Sequence, residues 1–253
     1  MDPGLRIENL TKVYDNGVRA LTDVSFTVPA GQFCAIIGLS GSGKSTLLRC
    51  INRLIEPTSG RIIFDGVDVT AANGAELRRA RRRIGMVFQH FNLVHRSPVI
   101  TNVLAGRLGY TSPVWSLINR FTNDDMAKAR AQLDRVGLAD KADNRADALS
   151  GGQQQRVGIA RALMQDPRLI LADEPVASLD PVLAHSIMRH LEEINQEDGV
   201  TVLCSLHFLD LVHAYADRVI ALNEGKLMFD GPPEEIDDRK FKDIYGQDAE
   251  RVG

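Results

Sequence analysis

Apolar and polar residues alternate in two short segments near the start of the chain, residues 5–10 and 21–28. Alternation of this kind predicts strands of an antiparallel sheet that has one face in water. Residues 33–37 are instead continuously apolar, which indicates a strand covered on both faces. The first part of the chain therefore predicts an antiparallel β subdomain followed by the first strand of a buried sheet.

Two further apolar runs, residues 169–172 and 200–204, have the same character as the first buried strand. Each follows a segment with helical character, and strands that alternate with helices are typical of a parallel sheet built from βα units. Residues 219–222 and 226–229 flank a short polar turn and predict a closing hairpin. The expected fold class is α/β, with a parallel sheet and an N-terminal antiparallel β subdomain.

A long helical segment separates two of the expected buried strands. Residues 102–165 are far more numerous than a connection between neighbouring parallel strands requires. We expect a helical subdomain inserted into the sheet domain at roughly residues 90–165. Because α/β proteins of 253 residues often form one unit, we expect residues 1–253 to be a single domain.

The segment from Gly38 to Thr46 matches the phosphate-loop pattern GxxxxGK[ST] and lies between an expected strand and an expected helix at residues 45–54. Glycines allow successive backbone N–H groups to point at phosphate oxygens, and the helix N-terminus adds partial positive charge. We expect Lys44 to reach the β- and γ-phosphates of ATP and the Ser45 hydroxyl to bind Mg²⁺. A glycine-rich turn without a ligand would leave this Lys-Ser-Thr run unexplained. The residues expected to bind the nucleotide here are Gly38, Ser40, Gly41, Ser42, Gly43, Lys44, Ser45 and Thr46.

Two carboxylates, Asp173 and Glu174, directly follow the apolar run at residues 169–172. They are expected at the carboxyl edge of the parallel sheet, where ligands bind, beside the phosphate loop. Asp173 fits the role of a Mg²⁺ ligand, and Glu174 fits that of the group that orients or deprotonates the attacking water. Acidic residues after a strand can also be simple helix caps. The pair indicates a catalytic site only in combination with the phosphate loop. Together these motifs predict a P-loop NTPase core.

A second glycine motif follows Leu149 and consists of Ser150, Gly151, Gly152 and Gln153. Ser150 and Gln153 match a capping box at the start of a helix, which is a purely structural explanation of part of the motif. Two adjacent glycines weaken a first helical turn, but they leave backbone N–H groups open to a close anion. The motif therefore predicts a second phosphate-binding surface.

The two predicted phosphate-binding elements lie on different subdomains, so one chain would have difficulty bringing both to one nucleotide. Two chains placed head to tail can do so. The motifs therefore predict an isologous dimer of two copies with two shared nucleotide sites.

Three single residues complete the candidate site, and each has an ordinary alternative. Tyr14, at the first glycine-containing turn, fits adenine stacking, or a half-buried strand tyrosine. Gln89 follows the apolar segment 84–88 and fits a metal or water contact, or a polar strand end. His207 follows a buried strand and fits a hydrogen bond to the γ-phosphate, or an exposed histidine.

The charge balance gives no indication of a nucleic-acid partner. The 30 Lys and Arg residues against 33 Asp and Glu residues give a net charge of −3, without a polybasic tail or an acidic block. The basic cluster at residues 78–83 stands alone in an expected helix, which favours a solvated helix face over nucleic-acid binding.

The spacing of the cysteines and the length of the apolar runs indicate the cellular compartment of the protein. Cys34, Cys50 and Cys204 lie far apart in apolar runs without metal-site spacing, so we expect buried, reduced thiols. No apolar run approaches the roughly 18 residues that suggest a spanning helix, and residues 1–4 lack the apolar region of a signal peptide. We expect a cytosolic chain whose link to a membrane is provided by a partner.

Taken in this order along the chain, the motifs resemble the nucleotide-binding subunits of ABC transporters. The elements that carry the resemblance are the phosphate loop, Gln89, residues 149–153, the pair Asp173 and Glu174, and His207. The resemblance covers nearly the whole chain, and it implies an ATP hydrolase with a bound Mg²⁺.

The resemblance also implies a role for each matching residue. It implies adenine stacking by Tyr14. It implies magnesium contacts by Ser45, Gln89 and Asp173. It implies catalysis by Glu174 with His207 and Lys44. It implies contacts from Ser150, Gly151, Gly152 and Gln153 to the ATP of the second copy, and a place for Asp180 in the loop that joins the two sites.

A finer resemblance is to phosphonate-import ATPases. It rests on residues 106–110, the insertion at residues 115–117, residues 153–157 and residues 173–180. Leu39 stands where many relatives have proline, and Ala177 where threonine is frequent. Neither departure removes a catalytic side chain.

The resemblance implies an importer subunit that couples ATP binding and hydrolysis to uptake of a small solute, such as a phosphonate. The implied partners are a second copy, two transmembrane permease subunits bound near Gln89 and residues 91–101, and indirectly a periplasmic or extracellular solute-binding protein. The implied location is the cytoplasmic face of the inner membrane, as a peripheral protein. The main alternatives are an ABC-type ATPase of DNA repair or translation and a P-loop kinase. The kinase leaves the second glycine motif unexplained.

Overall fold

The computed structural model describes residues 4–110 and 121–246. The insertion at residues 115–117, part of the finer resemblance, lies outside the described residues. Within the described part, the strands are arranged in a four-stranded and a six-stranded sheet. The strands are β1 (Leu5–Val13), β2 (Arg19–Val28), β3 (Phe33–Ile37), β4 (Ser59–Phe64), β5 (Val67–Asp68), β6 (Ile84–Val87), β7 (Leu169–Ala172), β8 (Thr201–Ser205), β9 (Arg218–Asn223) and β10 (Lys226–Gly231).

The four-stranded sheet has the order β2-β1-β4-β5 and antiparallel pairing throughout. Leu5, Ile7 and Leu10 on β1 are fully or almost fully buried, while the residues between them are partly exposed. This sheet packs its apolar face into a core that includes Cys34 and Ile36 of β3. The predicted N-terminal antiparallel subdomain is therefore confirmed.

The six-stranded sheet has the order β10-β9-β3-β8-β7-β6. Its strands from β9 to β6 pair in parallel, and β10 closes one edge as the second strand of an antiparallel hairpin with β9. The residues of β3, β6, β7 and β8 are buried without exception, as strands covered on both faces must be. The α/β class with a parallel core sheet is confirmed.

The described helices surround this sheet and also fill the long connection between β6 and β7. Helices α3 (Val99–Leu104), α4 (Asn123–Arg135) and α5 (Gly151–Leu163) lie in that connection and pack against one another and the rest of the larger core. No helix in residues 4–110 or 121–246 is long and apolar enough to cross a membrane. The helices are α1 (Lys44–Ile51), α2 (Gly74–Arg82), α3 (Val99–Leu104), α4 (Asn123–Arg135), α5 (Gly151–Leu163), α6 (Pro181–Asp198), α7 (Leu209–Tyr215) and α8 (Asp238–Tyr245).

Several predicted boundaries differ from the structure. Strands β1, β2, β9 and β10 extend beyond the predicted residues 5–10, 21–28, 219–222 and 226–229, and two further differences lie near the site. Helix α1 ends at Ile51 rather than at residue 54, because Arg53 adopts the left-handed conformation with φ 52°, which cannot continue a right-handed helix. Strand β8 is shifted by one residue and ends at Ser205. The shift places a fully buried polar side chain at the end of that strand.

The basic cluster on and after α2 is only partly the solvated face that its sequence predicts. Arg81 donates to the carbonyl oxygens of Asn52 at 3.0 Å and Arg53 at 2.6 Å, so it caps the end of α1. The guanidinium of Arg82 lies 4.9 Å from the centre of the Tyr110 ring. These arginines have structural partners that the sequence alone did not reveal.

The three cysteine side chains are buried, as the sequence predicts. Burial raises the pKa of the Cys50 thiol to about 12. It raises the pKa values of Cys34 and Cys204 as well. All three thiols are therefore protonated at neutral pH.

Close packing between the short 3-10 segment that follows α3 and helix α5 depends on Gly106. A Cβ atom on Gly106 would overlap the carbonyl oxygen of Arg161 and lie 2.8 Å from Cβ of Met164. We expect Gly106→Ala to lower the free energy of unfolding by about 1–3 kcal/mol, the usual cost of overpacking, as measured by urea denaturation.

Gly158, in the middle of α5, is the matched control. A Cβ there would meet nothing within 4 Å outside the backbone of its own helix, so Gly158→Ala should raise stability by roughly 0.5–1 kcal/mol through helix propensity. The packing argument is wrong if Gly106→Ala is as stable as Gly158→Ala.

Candidate functional site

The phosphate loop leaves β3 at Ile37 and enters α1 at Lys44. Gly38 and Gly43 have φ angles of 141° and 105°, values that a side chain strongly disfavours. Steric clashes also exclude any larger residue at both positions. A Cβ on Gly38 would overlap the carbonyl oxygen of Leu222, and one on Gly43 would lie 2.5 Å from that of Ala20. Backbone conformation and steric overlap thus both explain why glycine occupies positions 38 and 43.

Lys44 is almost completely buried, with 3% of its surface exposed. Its ammonium donates to the carbonyl oxygens of Gly38 at 2.8 Å and Leu39 at 3.0 Å. Burial lowers the pKa of Lys44, and the nearby carboxylates of Glu174 and Asp173 partly oppose this shift. The buried ammonium of Lys44 therefore lies close enough to both predicted acidic residues to interact with their charges.

The Asp173 side chain joins β7 to the phosphate-loop helix. It is 1% exposed, accepts a hydrogen bond from Ser45 Oγ at 2.7 Å through Oδ1, and pairs through Oδ2 with Arg49 Nη2 at 3.1 Å. Ser45 and Arg49 lie four residues apart, on one face of α1. Sequence reasoning missed Arg49, although this spacing from Ser45 was a readable signal.

Glu174 and His207 meet at the ends of neighbouring strands β7 and β8. Oε1 of Glu174 lies 2.7 Å from Nε2 of His207. Glu174 has a left-handed φ of 49°, and its N–H donates to Ser205 Oγ at 2.8 Å. The Ser205 hydroxyl lies 3.4 Å from the carbonyl oxygen of Ala172. Sequence reasoning missed Ser205 because the predicted end of β8 came one residue too early.

Gln89 lies two residues after β6, the neighbour of β7. The ends of parallel strands share one edge of the sheet, so Gln89 is placed at the same edge as Asp173 and Glu174. Tyr14 approaches from the other sheet, and its hydroxyl lies 3.2 Å from Thr46 Oγ1. The ammonium of Lys12 lies 5.2 Å from the centre of the Tyr14 ring.

The second glycine motif forms the capping box that its sequence predicts. Ser150 Oγ accepts from the Gln153 N–H at 3.4 Å, and Gln153 Oε1 accepts from the Ser150 N–H at 3.0 Å. Gly152 also packs closely, because a Cβ there would lie 3.2 Å from Leu183 Cδ1. The sequence argument, which explained the two glycines through a bound anion, did not include this contact.

The contacts described for this motif place it apart from the phosphate loop of the same chain. Gly151 lies near the side chains of Leu179 and Phe91, and no described hydrogen bond joins residues 150–153 to residues 38–46. Asp180 caps α6 by accepting from the N–H groups of Val182 and Leu183 at 3.1 and 3.0 Å. The described contacts join Tyr14 to the phosphate loop, Ser45 to Asp173, and Glu174 to His207. Gln89 lies at the same sheet edge, and none of the described hydrogen bonds joins residues 150–153 to this group.

Comparison with known proteins decides the family. The sequence profile described as ABC transporter matches residues 21–177, more than half of the chain. The chain belongs to the ABC transporter family. As a member of this family it is an ATP-binding subunit with ATPase activity, so the resemblance predicted from its motifs is confirmed.

Individual relatives agree with this assignment. The phosphonates import ATP-binding protein of Bdellovibrio bacteriovorus is 54% identical over 252 residues, which cover 99% of this ABC subunit and 97% of that protein. The corresponding protein of Staphylococcus haemolyticus is 51% identical, with 98% of each chain covered.

Solved structures of other ABC cassettes share the fold. CbiO1 of Clostridium perfringens, part of an ABC transporter complex, has a TM-score of 0.81 and 32% identity, covering 93% of this chain and 90% of its own. The dimeric cassette MJ0796, in a post-hydrolysis state bound to ADP and Pi, also has a TM-score of 0.81, with 34% identity, covering 92% of this chain and all of its own.

The anchoring of Glu174 by Ser205 generates a prediction for this ABC ATPase. Ser205→Ala removes the acceptor for a partly buried N–H, and we expect Glu174 to lose its fixed orientation. The turnover of ATP should fall, by at most the roughly 10²–10⁴-fold that general-base assistance is worth, while calorimetry shows nearly unchanged ATP affinity.

Ser25 provides a matched control for Ser205. Its Oγ accepts at 2.8 Å from the N–H of Asn9, another residue with φ 49°, but it lies in the antiparallel sheet. Ser25→Ala should leave turnover at the wild-type level. Equal turnover in the two variants would refute a role for Ser205 in placing Glu174.

Proposed function

We propose that this ABC ATPase binds ATP with Mg²⁺ and that hydrolysis in a dimer drives uptake of a phosphonate across a membrane. One observation supports ATP hydrolysis most directly. At the ends of β7 and β8, Asp173 accepts a hydrogen bond from Ser45 and Glu174 contacts His207, close to Lys44. The names of the relatives that are 51–54% identical support a phosphonate as the transported solute.

In this proposal the phosphate loop holds the nucleotide. Its backbone N–H groups and the N-terminus of α1 receive the phosphates, with Gly38, Gly41 and Gly43 permitting the close approach. Lys44 exchanges its two carbonyl contacts for the β- and γ-phosphate oxygens, a stronger, charge-assisted interaction. The remaining loop contacts come from Ser40, Ser42, Ser45 and Thr46. Tyr14, whose hydroxyl contacts Thr46, stacks on adenine.

The donor set at the sheet edge fits a magnesium ion. Ser45 and Asp173 present a hydroxyl and a carboxylate 2.7 Å apart, and Gln89 adds an amide oxygen at the same edge. Mg²⁺ prefers such oxygen ligands, few of them from the protein, with phosphates and waters completing the shell. When held by Ser45, Asp173 and Gln89, it would supply positive charge that neutralises the negative charge developing during phosphoryl transfer.

Glu174 acts on the attacking water, and His207 orients Glu174. The Glu174 carboxylate orients the attacking water and accepts its proton, which is the action of a general base. With a proton on Nε2, His207 donates to Glu174 across the observed 2.7 Å and so fixes the direction of the carboxylate. The anchoring of Glu174 through Ser205 serves the same alignment.

A second copy would supply Ser150, Gly151, Gly152 and Gln153 to the nucleotide. The Ser150 oxygen already accepts from the Gln153 N–H, but its own O–H remains to be donated, because a hydroxyl is both donor and acceptor. That donor suits the γ-phosphate of the partner's ATP. Asp180 lies in the loop that joins the two sites. The dimeric state of the related cassette MJ0796 supports this arrangement.

The proposed assembly includes two transmembrane permease subunits, bound near Gln89 and residues 91–101, and indirectly a solute-binding protein. The chain would lie at the cytoplasmic face of the inner membrane as a single nucleotide-binding domain over residues 1–253, with the helical subdomain at roughly 90–165. The names of the relatives favour import over a role in DNA repair or translation.

Glu174→Gln tests the hydrolytic mechanism. It preserves shape but removes the negative charge that orients or deprotonates water, so phosphate release should fall roughly 10²–10⁴-fold while ATP binding survives. A doubly loaded dimer should then accumulate in size-exclusion chromatography with ATP and Mg²⁺. Near-normal turnover would leave Glu174 without a catalytic role, and lost turnover without a dimer would contradict the shared sites.

A growth experiment tests whether the transported solute is a phosphonate. Cells that depend on a phosphonate as their sole phosphorus source should stop growing when the chromosomal copy carries Glu174→Gln, while growth on inorganic phosphate continues. Normal growth of the variant on several phosphonates would assign this importer to another solute.

A further inference from the structure

The segment around Gln89 has an unusual backbone. The N–H of Phe91 donates to the carbonyl oxygen of Phe88 at 3.3 Å, which makes Gln89 and His90 the central residues of a turn. Phe91 and Asn92 then have left-handed φ angles of 58° and 49°. Two consecutive side-chain-bearing residues in this region persist only where their surroundings hold them.

Arg161 of α5 stabilises this backbone conformation. Its Nη2 donates to the carbonyl oxygen of Phe91 at 2.9 Å and its Nη1 to that of Asn92 at 2.6 Å. Its guanidinium carbon also lies 5.9 Å from the centre of the Phe88 ring. One side chain therefore contacts the turn on both sides of Gln89. The planar fork of arginine can bond two carbonyl oxygens at fixed geometry.

Helix α5 connects this contact to the second glycine motif. The helix begins directly after Ser150 and reaches Arg161 eleven residues later, a distance of about 16 Å along the axis. Near Arg161 the helix has little freedom, because Gly106 packs directly against the Arg161 carbonyl oxygen. Arg161 is therefore held on a closely packed part of α5, which gives its guanidinium a defined position against the turn.

We infer that Arg161 is a positioning residue: by fixing the turn at residues 88–92 it sets the position of Gln89 at this chain's nucleotide. The inference rests on the proposed function, since it takes Gln89 to act at the nucleotide.

A double-mutant cycle tests this link. Arg161→Met should lower the turnover of the full-length protein by roughly 10–100-fold, the usual effect of a lost second-layer partner, and Gln89→Ala should lower it at least as much, because it removes the proposed magnesium donor itself. The double variant should be no slower than the slower single variant, because both changes remove the same positioned amide. ATP affinity of Arg161→Met should stay within about threefold of wild type, as expected when only the position of a group is lost.

Arg156 is the matched control. It also lies on α5 and donates to a backbone carbonyl, that of Val136 at 3.1 Å, but it does not contact residues 88–92. The effects of Arg156→Met and Gln89→Ala on turnover should multiply. If Arg161→Met fails to fold, Arg161→Lys replaces it in the cycle, since lysine keeps the charge but lacks the fork.

A second measurement does not depend on hydrolysis. Amide hydrogen exchange at Phe91 should be faster in Arg161→Met than in wild type and unchanged in Arg156→Met. The inference is overturned if Arg161→Met or Gln89→Ala hydrolyses ATP at the wild-type rate, or if their effects multiply. In each of these cases an active wild type and an inactive Glu174→Gln variant would leave the proposed function standing.

Discussion

The buried carboxylate of Asp173 is the group on which the nucleotide site depends. A charged side chain that is 1% exposed is stable only where donors compensate it, and here both donors come from α1: Ser45 at 2.7 Å and Arg49 at 3.1 Å. These contacts fix the phosphate-loop helix against the end of β7. The relative positions of Lys44 and Glu174 follow from that one junction.

The order of strands explains why residues far apart in sequence meet there. Because β3, β8 and β7 are parallel neighbours, the segments that follow them leave from the same edge. The phosphate loop follows β3, His207 follows β8, and Glu174 follows β7. A single sheet edge therefore brings together a cation, a carboxylate and the histidine paired with that carboxylate, without any special connection between them.

The sequence predicted those parts of the molecule that depend on local patterns. Apolar runs located the buried strands, and the capping box at Ser150 formed as its spacing indicates. The contacts of Ser205 and Arg161 were beyond such reasoning, since they join residues 31 and 70 positions away. Gly152 shows a different limit, because close packing against Leu183 and exposure of an N–H group both favour a small residue.

The burial of the three cysteines has a practical consequence. Thiolate is the reactive form of cysteine, and the pKa of Cys50 near 12 leaves almost none of it at neutral pH. Cys34 and Cys204 are both buried and shifted in the same direction. A single cysteine introduced on the surface would therefore take up a maleimide dye or cross-linker against little native background. Motions of the helical region could be followed without first removing the natural residues.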